Sequence, residues 1–149
     1  MSQKNTETTK SFLDSLYKNV KMGADSIIDL MPKVKDSKMR EEMTAELEHY
    51  EGFAKEIREL LFKNGETPKE ESLMAKMGVK MGVAMNTMID DSTSHIADLM
   101  IQGATMGITD TTKLIREYEN SPCAEDALAL ARKTVRYEEE SIERLKAFL

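Results

Sequence analysis

The sequence contains no tryptophan, only three prolines and a single cysteine. So little proline and no tryptophan argue against an architecture of short strands and turns. One cysteine, Cys123, excludes an internal disulfide framework and fits a reducing compartment, the cytoplasm. Positive charge is in deficit. Against 27 Asp and Glu stand 21 Lys and Arg, a formal net charge of -6. A nucleic-acid binder needs a basic patch to neutralise phosphates, and none is visible. No apolar run reaches the ~18 residues that span a bilayer, and Met1 to Lys10 is too polar for a signal core. A Gly-rich phosphate loop and a Ser/His/Asp order are also missing, so no catalytic motif stands out.

What the sequence has in quantity is helical periodicity. With 149 residues, 40% hydrophobic and 32% charged, it reads as one helix-rich domain over residues 1–149. Residues 1–6 form a loose polar lead-in. Helix 1 is predicted over about 7–31, with its stripe at Leu13, Tyr17, Val20, Ala24, Ile27 and Met31, and Pro32 stops it. Helix 2 is predicted over about 37–63, capped by Asp36 or Ser37 and stopped by Gly65. Its stripe is Met39, Met43, Glu46, Tyr50, Phe53, Ile57 and Leu60.

Helix 3 begins at the capping box Thr67-Pro68-Lys69-Glu70 and is predicted to reach about Met106. Its stripe runs through Met74, Met77, Met81, Met85 and Met88, then Ser92, His95, Leu99, Gln102 and Met106. Methionine thioethers suit Cu(I), yet methionine also fills irregular cores, and core packing is the plainer reading. Gly78 and Gly82, four apart beside the stripe, suggest a close helix crossing or a homodimer contact. A short helix over about 110–118 fills the next connection, and Ser121-Pro122 starts helix 4, which runs to the C-terminus. Cys123 sits at that start with no His or Asp arrangement to make it a nucleophile. The fold class is all-α: an up-down-up-down four-helix bundle with a short extra helix between helices 3 and 4.

Polar residues on core stripes are the candidates for chemistry, because a buried unpaired charge is costly. Three stand out: Glu46, His95 and Glu138. Glu46-Leu47-Glu48-His49 also reads Glu-x-x-His, a spacing at which a carboxylate and an imidazole can converge on one metal ion. Folding helices 2 and 3 back about residue 67 would face Glu46 with Met88 and His49 with Met85. Asp91 would then lie one turn from Met88, and His95 roughly 10 Å beyond it. Aligning helices 2 and 4 by their stripes places Glu46 on Glu138 and His49 on Ser141. Each candidate has a structural alternative: a polar pair at the core edge for Glu46 and His49, an ion-paired carboxylate for Glu138, a satisfied interior imidazole for His95.

In helix order and length over about 10–149, and in Glu46, His49 and Glu138, the chain resembles the ferritin-like superfamily. Within it, the chain is similar to small bacterial ferritin-like proteins of the DUF2383 type. The resemblance implies two helical hairpins around a carboxylate-bridged metal pair, of iron or manganese. It implies Glu46, His49 and Glu138 as ligands, with Asp91 or His95 completing the shell. It also implies oxygen or peroxide reduction with Tyr17 or Tyr50 nearby. The family pattern would place a histidine at Ser141 and a helix-1 carboxylate near Val20 or Ala24. This sequence has neither. The expectation is therefore a ferritin-like bundle, a homodimer, with a degenerate carboxylate/histidine site incomplete for di-iron chemistry. The alternatives are an iron- or manganese-binding oxidase or peroxide-detoxifying protein, and a Met-rich Cu(I) or apolar-ligand carrier.

Overall fold

A computed structural model describes residues 3–65 and 90–149. Four helices make up this part: α1 (Gln3–Leu30), α2 (Ser37–Lys63), α3 (Thr93–Tyr118) and α4 (Glu125–Leu145). Short 3₁₀ turns follow α1 at Met31–Lys33 and α4 at Lys146–Phe148. No strand occurs among the described residues.

The boundaries follow local chemistry. Pro32 lies in the turn that ends α1. Asp36 caps α2, its Oδ2 accepting from the Met39 N–H at 2.8 Å. Gly65 has φ +94°, the left-handed conformation that suits glycine just beyond a helix end. The expected stripes of α1 and α2 are buried, with Tyr17 and Leu60 partly covered.

The third helix differs from its prediction at both ends. It begins at Thr93, where Ser92 caps it by accepting from the His95 N–H at 3.2 Å. It then runs unbroken through Gly103 and Gly107 to Tyr118, so the separate helix expected over 110–118 is its last part. The methionine stripe is not its core face either. Ile96, Ala97, Met100, Ala104, Leu114 and Ile115 are buried, whereas Gln102 and Met106 are exposed. The cap at Ser92 resets the phase that the stripe was assumed to keep. Met74 to Met88, the capping box at Thr67, and Gly78 with Gly82 lie outside the described residues. Helix α4 starts at Glu125 rather than at Ser121-Pro122. Its leading N–H, on Ala124, donates to Thr9 Oγ1 of α1 at 2.9 Å. Helix α1 starts at Gln3, four residues earlier than expected.

Pairings across the bundle set the helix directions. Asn19 bonds Thr111 and Ser11 bonds Tyr118, so α3 runs antiparallel to α1. Glu42 pairs with Arg144 and Lys63 with Asp126, so α4 runs antiparallel to α2. The short turn at Met31–Lys33 makes α1 and α2 a hairpin. Helices α2 and α3 are therefore parallel and sit across a diagonal, each packed on α1 and α4. The order is up, down, down, up rather than alternating, so Gly65 and Asp90 lie at opposite ends of the bundle. A buried stripe reports which face of a helix is covered, not which way the helix runs.

Candidate functional site

Helix α2 places Glu46 and Tyr50 one turn apart on its inner face, and α4 does the same for Glu138 and Ser141. The two glutamates are the buried carboxylates of the described core, Glu46 at 3% and Glu138 at 5% exposure. Each accepts a hydroxyl proton from the opposite helix. The Ser141 hydroxyl donates to Glu46 Oε1 at 2.7 Å, and the Tyr50 hydroxyl donates to Glu138 Oε2 at 3.1 Å. The other oxygen of Glu46, Oε2, is buried without a hydrogen-bond partner.

Removal from water dominates the electrostatics, because it penalises the ionised form. Burial pushes the Glu46 carboxyl up to about 7, opposed by the Ser141 bond and by Arg144, and reinforced by Glu42. Burial likewise pushes Glu138 up to about 7, opposed by the Tyr50 bond and reinforced by Glu46 and Asp110. Burial holds the Tyr50 phenol well above its ordinary range, and the Glu138 charge adds to that. With both carboxyls raised to about 7, neither is fully ionised at neutral pH.

Helices α1 and α3 close the site with glycine. A Cβ on Gly23 would lie 2.9 Å from the Tyr50 ring carbons Cε1 and Cζ. A Cβ on Gly107 would overlap Glu138 Oε2 and lie 3.0 Å from its Cδ. Gly107 is thus a packing requirement inside a helix, not a helix stop. A Gly107→Ala variant is expected to change stability by no more than about 1 kcal/mol, because the Glu138 carboxylate can swing aside and lose its Tyr50 bond while alanine's better helix propensity offsets that loss. It should also push Glu138 off Tyr50, read as a shifted tyrosine ultraviolet absorbance. A stabilised protein with unchanged absorbance would contradict the contact.

The candidate ligands scatter. Glu46 and Glu138 lie on facing helices, Glu46 bonded by Ser141 of α4 and Glu138 by Tyr50 of α2. His49 does not join them. It is exposed, with Nδ1 against the Ala45 carbonyl oxygen at 2.9 Å and its ring stacked on Tyr137 at 4.3 Å. Three residues advance a helix by about 300°, which carries His49 to the outer groove between α2 and α4 when Glu46 points inward. Asp91 precedes α3 and pairs with Lys35 at 3.1 Å. His95, in the first turn of α3, is twelve residues before Gly107, roughly 18 Å along the axis. Both belong to the end of the bundle. Met88 and Met85, the residues expected to face Glu46 and His49, lie outside the described residues. Among the described residues, no group of three or more His, Cys, Asp or Glu could hold a metal ion. Sequence reasoning missed Gly23 and Gly107. The available signal was a glycine inside a helix, costing about 1 kcal/mol against alanine and so calling for a packing reason.

Two helical hairpins closing on a buried carboxyl pair define a ferritin-like four-helix bundle. A Dps1 mutant of Mycobacterium smegmatis has a similar solved structure, with a TM-score of 0.77 over 99% of this chain and 98% of that one, at 15% identity. No family model and no curated protein matches the chain. No described helix is long and apolar enough to cross a membrane.

Proposed function

We propose that this protein is a ferritin-like scaffold whose metal position has become a partly protonated carboxyl pair, and that it works as a helical structural or interaction module rather than as an oxidase. The observation that carries this reading is the glycine wall. An iron or manganese pair needs oxygen and nitrogen donors converging from several helices. Here α2 and α4 supply Glu46 and Glu138 with two hydroxyls, while α1 and α3 present Gly23 and Gly107. No histidine reaches the pair. The unpartnered Glu46 Oε2 and the Asp110 carboxyl of α3 are the further oxygen donors at the seam. Without a histidine, the described residues do not fit a di-iron or di-manganese group. Helix order and length support kinship with DUF2383-type proteins, and the lone cysteine supports a cytoplasmic setting.

Reconstitution tests the proposal. Protein purified without an affinity tag, incubated anaerobically with excess Fe(II) or Mn(II) and desalted, is expected to retain well under one metal per chain. Near-stoichiometric metal that disappears in Glu46→Ala would overturn the proposal in favour of an oxidase or peroxide-detoxifying protein.

A further inference from the structure

Two small cavities adjoin at the seam between α1 and α3. The inner one, about 30 Å³, is lined by Glu46, Tyr50 and Met100. The outer one, about 60 Å³, reaches Glu138 and Asp110 and opens between Met22 and Met106. Gly23, Ser26 and Gly103 border both. At about 10–15 Å³ per water-sized group, the two hold a handful of such groups, enough for a very small ligand only.

The chemistry of the lining is one-sided. It carries three carboxyl groups and no Lys or Arg. Glu46 is buried and lines the inner cavity, and its Oε2 has no hydrogen-bond partner. The Tyr50 and Ser141 hydroxyls have already spent their protons on the two glutamates. Ser26 donates to the Met22 carbonyl at 2.9 Å, leaving its oxygen as an acceptor. Arg144, the nearest cation, is held outside by Glu42 at 2.5 Å. The site therefore offers chiefly acceptors and negative charge and no positive charge; the amide of Asn19, which donates to Thr111 at 3.3 Å, is the N–H donor of its lining. At the mouth, Met22 and Met106 are 57% and 60% exposed, an apolar rim on a chain whose other methionines in this region are covered.

We infer that this seam binds a small primary ammonium group, from the ammonium ion to methylammonium, with Glu46 and Glu138 as the recognising carboxylates and Met22 and Met106 against the carbon. An ammonium group supplies several N–H donors in tetrahedral directions and a unit positive charge, matching one open carboxylate oxygen and the nearby hydroxyl oxygens. A divalent metal would compete for the same carboxylates, and the Fe(II) and Mn(II) titration below separates it from an ammonium group. A quaternary ammonium brings no N–H and exceeds the space. The inference rests on the metal-free reading above.

The test is a titration of the full chain near pH 8 with methylammonium chloride, followed by amide ¹H–¹⁵N shifts and thermal midpoint. Sodium chloride and tetramethylammonium chloride serve as controls. Expected are saturable shifts at Gly23, Gly103 and Gly107, a midpoint raised by a few degrees at saturation, and an affinity at least about tenfold lower in Glu46→Gln. Shifts that match either control, or that persist in Glu46→Gln, would overturn the inference and leave a water-filled cavity. A parallel Fe(II) and Mn(II) titration separates the two claims. Stoichiometric metal overturns the metal-free reading together with this one, whereas silence towards metal and methylammonium alike overturns this one only.

Discussion

Replacing Glu46 and Glu138 together by glutamine is expected to stabilise the protein near pH 8 and to destabilise it by about 1–3 kcal/mol near pH 5. Each carboxyl is raised by burial from an ordinary 4.5 to about 7 in the folded chain. Between those values the folded state binds more protons than the unfolded state, so stability falls as pH rises through that window and levels off above it. A shift of that size corresponds to about 3 kcal/mol per carboxyl, with the pair summing to less than twice that because the two sites interact. Glutamine removes the ionisation and keeps an oxygen for the Ser141 and Tyr50 hydroxyls to donate to. Its new N–H groups lack assured partners, which offsets part of the gain by about 1–3 kcal/mol. The net expectation is a gain of a few kcal/mol near pH 8, with Glu46→Gln alone giving part of it. Denaturant midpoints at the two pH values check it. An equal effect at both would show that the carboxyls ionise normally.

Phe12→Ala is expected to cost about 3–5 kcal/mol, the range for emptying an aromatic site in a close-packed core. Phe12 is fully buried on α1, and its ring meets Tyr118 edge-on at a centroid distance of 5.3 Å and 67°. Beside it, Ser11 and the Tyr118 hydroxyl lie 3.0 Å apart. This contact exists because α3 continues past Gly107 to Tyr118 and runs antiparallel to α1. A short helix over 110–118 swinging free of α3 would not place Tyr118 there. The check is the urea midpoint at unchanged slope. A loss under about 1 kcal/mol would mean that the last turns of α3 are not packed as described.

Three helices were legible because their stripes are continuous and their ends carry chemistry that a sequence displays: Pro32, Asp36, Gly65. Glu46 and Glu138 were legible for a related reason, each being a charge on an apolar stripe. Aligning α2 with α4 also paired the two residues that now face each other. The rest depended on information that periodicity lacks. Asp90 to Ser92 is a cap embedded in a run of methionines, and the run hid it. Gly107 looks like punctuation, but its reason is Glu138, a residue 31 positions later in the chain. His49 was grouped with Glu46 by spacing, although i and i+3 share a face only approximately. Here the difference puts one inside and the other on the outer groove with Tyr137. The parallel run of α2 and α3 is a matter of the end of the bundle at which each begins, which no stripe encodes.

The central claim is that Glu46 and Glu138 form a partly protonated pair in the core. Side-chain carboxyl ¹³C titration of glutamate-labelled protein tests it most directly. The account predicts two glutamate signals titrating near 7, both absent from the doubly glutamine-substituted protein. Every glutamate signal titrating near 4.5, Glu46 and Glu138 among them, would contradict it.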